Sequence, residues 1–240
     1  MTNRKIIIIG ATSGIGRQLA SLYAAEGNIV GVTGRRGHLL EELKNEYRDC
    51  IHTACFDVTA GNNVAELEKL IYEMGDVDLL IYNSGFGDVS KELNPELERI
   101  TTQTNVNGFI EIVSFAFNYF VKKGKGQIAV ISSIAALRGN SWAPSYSASK
   151  SFISNYAEGL NIKARRMQKD IIVSDIKPGF VDTKLSKGNG RFWISSPEKA
   201  GRQIKSAIDK KRRVAYITKR WWLIAQMLKL MPYSLYRRLV

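Results

Sequence analysis

A chain of 240 residues can form one large α/β domain or two small ones, and it is long enough to bury a sizeable core. With 45% hydrophobic and 24% charged residues, 20 Gly and 5 Pro, the composition excludes collagen-like, disordered and disulfide-framework architectures. Lys and Arg outnumber Asp and Glu by 35 to 22, and nine of the thirteen net positive charges fall between Lys205 and Val240, so the rest of the chain is close to neutral.

The start, Met1 to Gly10, carries basic residues and then four isoleucines, too short an apolar run for a signal peptide. No export is expected, and a cytoplasmic protein is. Strands are predicted at Lys5 to Ile9, Ile29 to Thr33, His52 to Phe56, Leu79 to Tyr82, Gln127 to Ile131, Ile171 to Ile176 and Val214 to Ile217. Helices are predicted at Ile15 to Glu26, Leu39 to Tyr47, Asn62 to Met74, Pro95 to Lys122, Ser145 to Gln168 and Pro197 to Asp209. The strand runs are nearly continuous in apolar residues rather than alternating, as in parallel strands covered by helices on both faces. Regular β-then-α alternation without linker, repeat or low-complexity segment predicts a single domain over 1–240. Its class is α/β: a Rossmann-type doubly wound parallel sheet of about seven strands with helices on both faces. Cys50 and Cys55 match neither a zinc pair nor a redox CxxC, and free buried thiols are expected. With only His38 and His52 and no clustered Cys, no metal site is expected.

After the first strand comes Gly10-Ala11-Thr12-Ser13-Gly14-Ile15-Gly16, and a helix opens at its end. That order brings backbone N–H groups and the positive end of a helix dipole up to a phosphate, and side chains at Gly10 or Gly16 are expected to block the approach. The second strand ends in Thr33-Gly34-Arg35-Arg36. A carboxylate there would bond the adenosine ribose of NAD and repel a 2′-phosphate. Gly34 with the two guanidinium groups of Arg35 and Arg36 behind it favours NADP(H) over NAD(H).

Tyr146-Ser147-Ala148-Ser149-Lys150 opens a helical pattern, so Tyr146 and Lys150 share a face one turn apart. A phenol is a poor proton carrier at neutral pH, and a nearby ammonium is expected to lower its pKa toward the working range. Ser133 lies thirteen residues before Tyr146, at the end of the fifth strand. Its hydroxyl can bond a substrate oxygen, whereas Ser132 reads as structural. Asn105-Val106-Asn107-Gly108 sits mid-helix, where Asn and Gly are locally unfavourable, and points to a kink or an inward polar group.

Together these residues resemble the short-chain dehydrogenase/reductase family. GxxxGxG matches the family's TGxxxGxG with Ile9 in place of Thr, and Tyr82-Asn83-Ser84-Gly85 resembles its NNAG, keeping Asn83 and Gly85 with Tyr and Ser in place of Asn and Ala. Asn105 begins its NVxG, Ser133 and Tyr146-x-x-x-Lys150 stand at its catalytic spacing, and Pro178-Gly179-Phe180-Val181-Asp182-Thr183 matches its PGxVxT. The resemblance covers about three quarters of the chain and implies an NADP-preferring oxidoreductase. It implies Asn105, Ser133, Tyr146 and Lys150 as catalytic residues, with Asn105 holding a water that links Lys150 to solvent. For the cofactor it implies Gly10, Thr12, Ser13, Gly14, Ile15, Gly16, Arg35, Arg36, Asp57, Val58, Asn83 and Gly85, then Tyr146, Lys150, Pro178, Gly179, Val181 and Thr183. A catalytically silent NADP(H)-binding regulatory protein is the alternative, although such chains usually lose Tyr or Lys.

The substrate is expected to be a small carbonyl or alcohol, apolar or lipid-like. Segment 184–196 is where similar enzymes vary; in it Gly188 and Gly190 suggest a lid, and Phe192 and Trp193 an apolar pocket. The resemblance implies a homodimer or homotetramer built through the helices containing Asn105 and Tyr146. Segment 219–240 is basic and aromatic, with Trp221 to Met231 apolar around most of a helix. It covers the pocket, packs at a subunit interface, or makes peripheral membrane contact. It contains Lys229 and Pro232 and is too short to span a bilayer. No nucleic-acid recognition element accompanies its charge.

Overall fold

The computed structural model describes residues 3–88, 92–186 and 191–238. Its seven strands are β1 (Lys5–Ile9), β2 (Ile29–Gly34), β3 (Ile51–Cys55), β4 (Leu79–Tyr82), β5 (Lys125–Ile131), β6 (Asp170–Pro178) and β7 (Val214–Ile217). All pair in parallel in the order β3-β2-β1-β4-β5-β6-β7. Helices α1 (Gly14–Ala25), α2 (Gly37–Glu46), α3 (Asn63–Met74), α4 (Pro95–Thr102), α5 (Gly108–Lys123), α6 (Pro144–Arg166) and α7 (Pro197–Asp209) fill the connections, and α8 (Trp221–Leu230) and α9 (Tyr233–Tyr236) follow β7.

Period-two alternation explains why the strands read as unbroken apolar runs. Ile6 and Ile8 point into one core layer with Leu19, Leu40, Leu43, Ile204 and Ile208 of α1, α2 and α7. Ile7 and Ile9 point into the other, with Leu67, Leu70, Phe109, Ile112, Phe117 and Ile153 of α3, α5 and α6. Each face needs its own apolar set, so both sides of the strand are hydrophobic. Strand order reverses between β1 and β4, and in such sheets the crevice outside the carboxyl ends at that point is where ligands bind.

Two expectations are corrected. Pro95 to Lys122 is not one helix: a π-helical turn, Gln103–Asn107, separates α4 from α5. The chain stays helical on both sides of the turn, so its apolar spacing reads as continuous, but the extra residue swings Asn105 into the interior. Cys50 and Cys55 are both free, but neither is buried: Cys50 is half-buried and Cys55 is exposed at the end of β3, the edge strand. Gly188 and Gly190 of the variable segment lie outside the described residues. Among the described residues no helix is long and apolar enough to cross a membrane.

Candidate active site

At the carboxyl end of β1 the glycine-rich turn folds onto itself. Gly10 (φ +82°) and Gly14 (φ +57°) occupy the left-handed region that favours glycine. A Cβ at Gly10 would lie 2.8 Å from the backbone of Ser84, and one at Gly16 would lie 2.1 Å from the Gly10 carbonyl oxygen. These two glycines are thus already required by the turn's own packing, whatever they also leave open to a ligand. Thr33 O accepts from the N–H groups of Gly10 and Ala11 (3.1 and 2.8 Å), and the Asn83 amide donates to Gly10 O at 2.7 Å, fastening the turn to β2 and β4. Ser13 caps α1 without a side-chain bond to the helix's own amides and no acid sits in the helix's first turn, while Ile15 packs on the core. The dipole and free amides there could hold a phosphate.

The two arginines after β2 differ. Arg36 donates to Thr12 Oγ1 (2.5 Å) and Ser13 Oγ (2.8 Å), bracing the turn. Arg35 is exposed and pairs with Asp57 at 3.4 Å. Asp57 Oδ1 also accepts from the N–H and hydroxyl of Thr59; burial acts to raise the Asp57 pKa, but these bonds and Arg35 outweigh it and hold the carboxyl below its usual range. Gly34 has a steric reason as well, since a Cβ there would lie 2.6 Å from Thr12 Cγ2. Val58 is buried behind Asp57, its carbonyl accepting from Asn63.

Next to the turn, the loop after β4 and the start of α6 bring Asn105, Ser133, Tyr146 and Lys150 together. Ser133 follows β5 and its Oγ accepts from Ala135 N (3.1 Å). It also faces the Tyr146 hydroxyl, near enough for its hydrogen bonding to favour the phenolate. Lys150, buried, lies 5.7 Å from the centre of the Tyr146 ring and donates to Ile131 O at 2.9 Å. Asn105 accepts from Phe86 N (2.8 Å) and donates to Phe86 O (2.7 Å) and Ser149 Oγ (2.9 Å). Its Oδ1 and Lys150 Nζ both lie within about 3.5 Å of where a Cβ on Gly85 would be.

The protonation states depart from expectation. Burial pushes Tyr146 above its ordinary value, offset in part by the hydrogen bond from Ser133, and Lys150 does not lower it. The ammonium is aimed at Ile131 O rather than at the phenol oxygen, and burial weakens Lys150 itself, pulling it down to about 8 against the opposing charge of Asp175.

Asp175 was not singled out in the sequence. It pairs in β6 with Lys177 at 2.6 Å, both side chains 6% exposed. Its other donors are Ser154 Oγ (2.7 Å) and Ser132 Oγ, and Lys177 also donates to Ser154. Ser132 is thus anchored to a buried carboxylate, which fixes the backbone that carries Ser133 and Ile131. The visible signal was two charges, Asp175 and Lys177, on the same face of an apolar strand that ends at Pro178.

Beyond β6, Gly179 donates to Ile217 O (2.6 Å) and lies against Trp221, where a Cβ would come within 2.0 Å of the indole. Val181 bridges to Ser195, and Thr183 reaches back so that its methyl would be 3.0 Å from a Cβ on Gly14. Thr183 therefore flanks the glycine-rich turn, and Pro178 ends β6 at the same edge of the sheet. Phe180, Phe192, Trp193 and Trp221 form an aromatic cluster at its side, with ring centres 5.0–6.0 Å apart.

Residues 4–191 match the family model described as short chain dehydrogenase. An uncharacterized oxidoreductase of Myxococcus xanthus is 33% identical over 195 residues, 79% of this chain and 76% of its own. A 3-oxoacyl-(acyl-carrier-protein) reductase of Chlamydia muridarum is 28% identical over 195 residues, 78% of each chain. The solved structure of a short-chain dehydrogenase from Streptomyces avermitilis superposes with a TM-score of 0.81 over 99% of this chain and 98% of its own, at 24% identity, a likeness of fold. The chain belongs to the short-chain dehydrogenase/reductase family of oxidoreductases, which bind a nicotinamide cofactor and act on the CH–OH/C=O pair.

Proposed function

We propose that the protein is an NADPH-dependent carbonyl reductase or alcohol dehydrogenase acting on an apolar or lipid-like substrate. The observation that carries this reading is the meeting of Ser133, Tyr146, Lys150 and Asn105 in the crevice beside the glycine-rich turn. Supporting a dinucleotide there are the amides at the start of α1 for a diphosphate, Asp57 and Val58 on the adenine side, and Gly85 and residues 178–183 on the nicotinamide side. Gly34 and the exposed Arg35 support NADPH over NADH, while Arg36 braces the turn through Thr12 and Ser13.

A nicotinamide held there would supply the hydride donor or acceptor for the substrate carbon. Ser133 donates a hydrogen bond to the substrate oxygen, and Tyr146 gives that oxygen its proton in reduction or removes it in oxidation. Lys150 keeps positive charge behind the phenol. Asn105 ties Ser149 on α6 to the loop after β4, so Tyr146 is held from both sides. The aromatic cluster beside Gly179 supports an apolar substrate. Retention of both Tyr146 and Lys150 favours turnover over a silent nucleotide-binding role, and the helices around Asn105 and Tyr146 are the expected homodimer or homotetramer contact.

A panel of aliphatic, aromatic and long-chain ketones, aldehydes and alcohols, assayed with NADPH and with NADH, tests the reading. Turnover of at least one apolar carbonyl or alcohol with a preference for the NADP form is expected. Tight NADPH binding with no turnover anywhere in the panel would favour the regulatory alternative.

A further inference from the structure

Helix α8 buries one apolar face and leaves another exposed. Trp221 is 3% exposed and Ala225 fully buried, the indole seated over Gly179 among Phe180, Phe192 and Trp193. On the other side Trp222 is 52%, Leu223 61%, Met227 49% and Leu230 83% exposed, and Tyr233 and Leu235 continue the strip onto α9. The segment is not loosely attached. Arg138 donates to Leu228 O (3.2 Å) and Met231 O (2.9 Å) and lies 4.5 Å over the ring of Tyr236, whose hydroxyl donates to Gly139 O. An apolar strip fixed in this way on the surface calls for a covering partner.

Charge identifies the partner. Residues 210–240 contain nine Lys or Arg and no Asp or Glu, and five of the nine, Lys219, Arg220, Lys229, Arg237 and Arg238, bracket or interrupt the apolar strip. Arg220 is held beside it, donating to Trp193 O (2.9 Å) and lying 5.0 Å over that ring. A symmetric contact between two copies would place the same five cations against themselves, a like-charge juxtaposition that opposes association. A surface that is apolar inside and anionic at its boundary matches both features, and Trp, Tyr, Lys and Arg at the edge of an apolar helix face suit the headgroup level of a bilayer. With ten residues, α8 lies in that plane rather than crossing it.

We propose that the outer face of α8 and α9 docks on an anionic lipid bilayer. The inference rests on exposure and charge and holds whether or not the proposed reductase activity is correct. The test is sedimentation of the full-length protein with vesicles of phosphatidylcholine alone and of phosphatidylcholine with phosphatidylglycerol, at low and high salt. Binding is expected only with phosphatidylglycerol and is expected to weaken with salt. Leu223→Asp/Leu230→Asp should reduce it at least about tenfold. Should that variant fold poorly by circular dichroism, Lys229→Glu/Arg237→Glu/Arg238→Glu serves instead, with an expected loss of tenfold or more, since each basic residue near an anionic surface contributes roughly fivefold. Three outcomes overturn the proposal: no sedimentation with phosphatidylglycerol vesicles at low salt, undiminished binding by a well-folded variant, or a concentration-dependent oligomer that Leu223→Asp/Leu230→Asp disperses, which would make the face a contact between copies. Equal binding to soluble polyglutamate, unaffected by the leucine substitutions, would also overturn it in favour of an acidic protein partner.

Discussion

Arg35 and Arg36 are neighbours in the chain with separable work. Arg36 is engaged by Thr12 and Ser13, so Arg36→Ala should loosen the turn and weaken both cofactors alike. Arg35 has only an exposed pairing with Asp57, so Arg35→Ala should narrow the preference for NADPH, roughly tenfold for one charge-assisted contact. Fluorescence titration with NADPH and NADH separates the two effects, and equal affinity of the wild type for both cofactors would contradict the assignment. Asp175 acts as a positioning residue through Lys150 and Ser132. Its negative charge raises the Lys150 pKa, so Asp175→Asn should let that pKa fall further below about 8 and move the alkaline limb of the reduction rate to lower pH. The same change strands Lys177 in the interior, at a cost of about 3–5 kcal/mol when one partner of a buried pair is removed. Asp175→Asn/Lys177→Met should recover part of that stability without restoring the pH profile. An unmoved alkaline limb in the single variant would leave Asp175 a purely structural residue.

At the scale of elements, the π-helical turn between α4 and α5 does what a regular helix could not: it directs Asn105 into the interior beneath the loop after β4. Asn105→Ala would leave the N–H and C=O of Phe86 without their partners and release Ser149. A loss of about 1–3 kcal/mol is expected in denaturant unfolding, together with slower turnover. An unchanged unfolding midpoint would show that the loop rearranges at no cost. Most elements were legible because their signals are local. β1, β4, β7 and α7 fall where the apolar runs and the helical pattern placed them. The glycine spacing and Tyr146-x-x-x-Lys150 could likewise be read from the chain. The π turn was visible only as an unfavourable Asn105-Val106-Asn107-Gly108, because helical periodicity survives a single extra residue. The Asp175–Lys177 pair escaped notice because mutual burial is a property of packing, not of spacing. The direction of the Tyr146 pKa was misjudged for the same reason: four residues along a helix set proximity, while burial and the aim of the Lys150 ammonium decide the field.

Across the whole molecule, the parallel sheet gathers the relevant loops at one edge. β1 ends in the glycine-rich turn, β4 and β5 in the loops beside Tyr146 and Ser133, and β6 and β7 in the aromatic cluster and α8. The cofactor crevice, the proposed proton carrier and the basic apolar strip therefore belong to the same end of the fold, with the core layers behind them. The central claim, that this end performs hydride chemistry with Tyr146 as proton carrier, is tested most directly by comparing wild type and Tyr146→Phe on a carbonyl the wild type reduces, with NADPH affinity measured alongside. The variant should lose about 10²–10⁴ in turnover while keeping NADPH affinity within a few fold, because the change removes a proton and little else. A folded Tyr146→Phe enzyme that keeps more than a tenth of wild-type turnover would contradict the account.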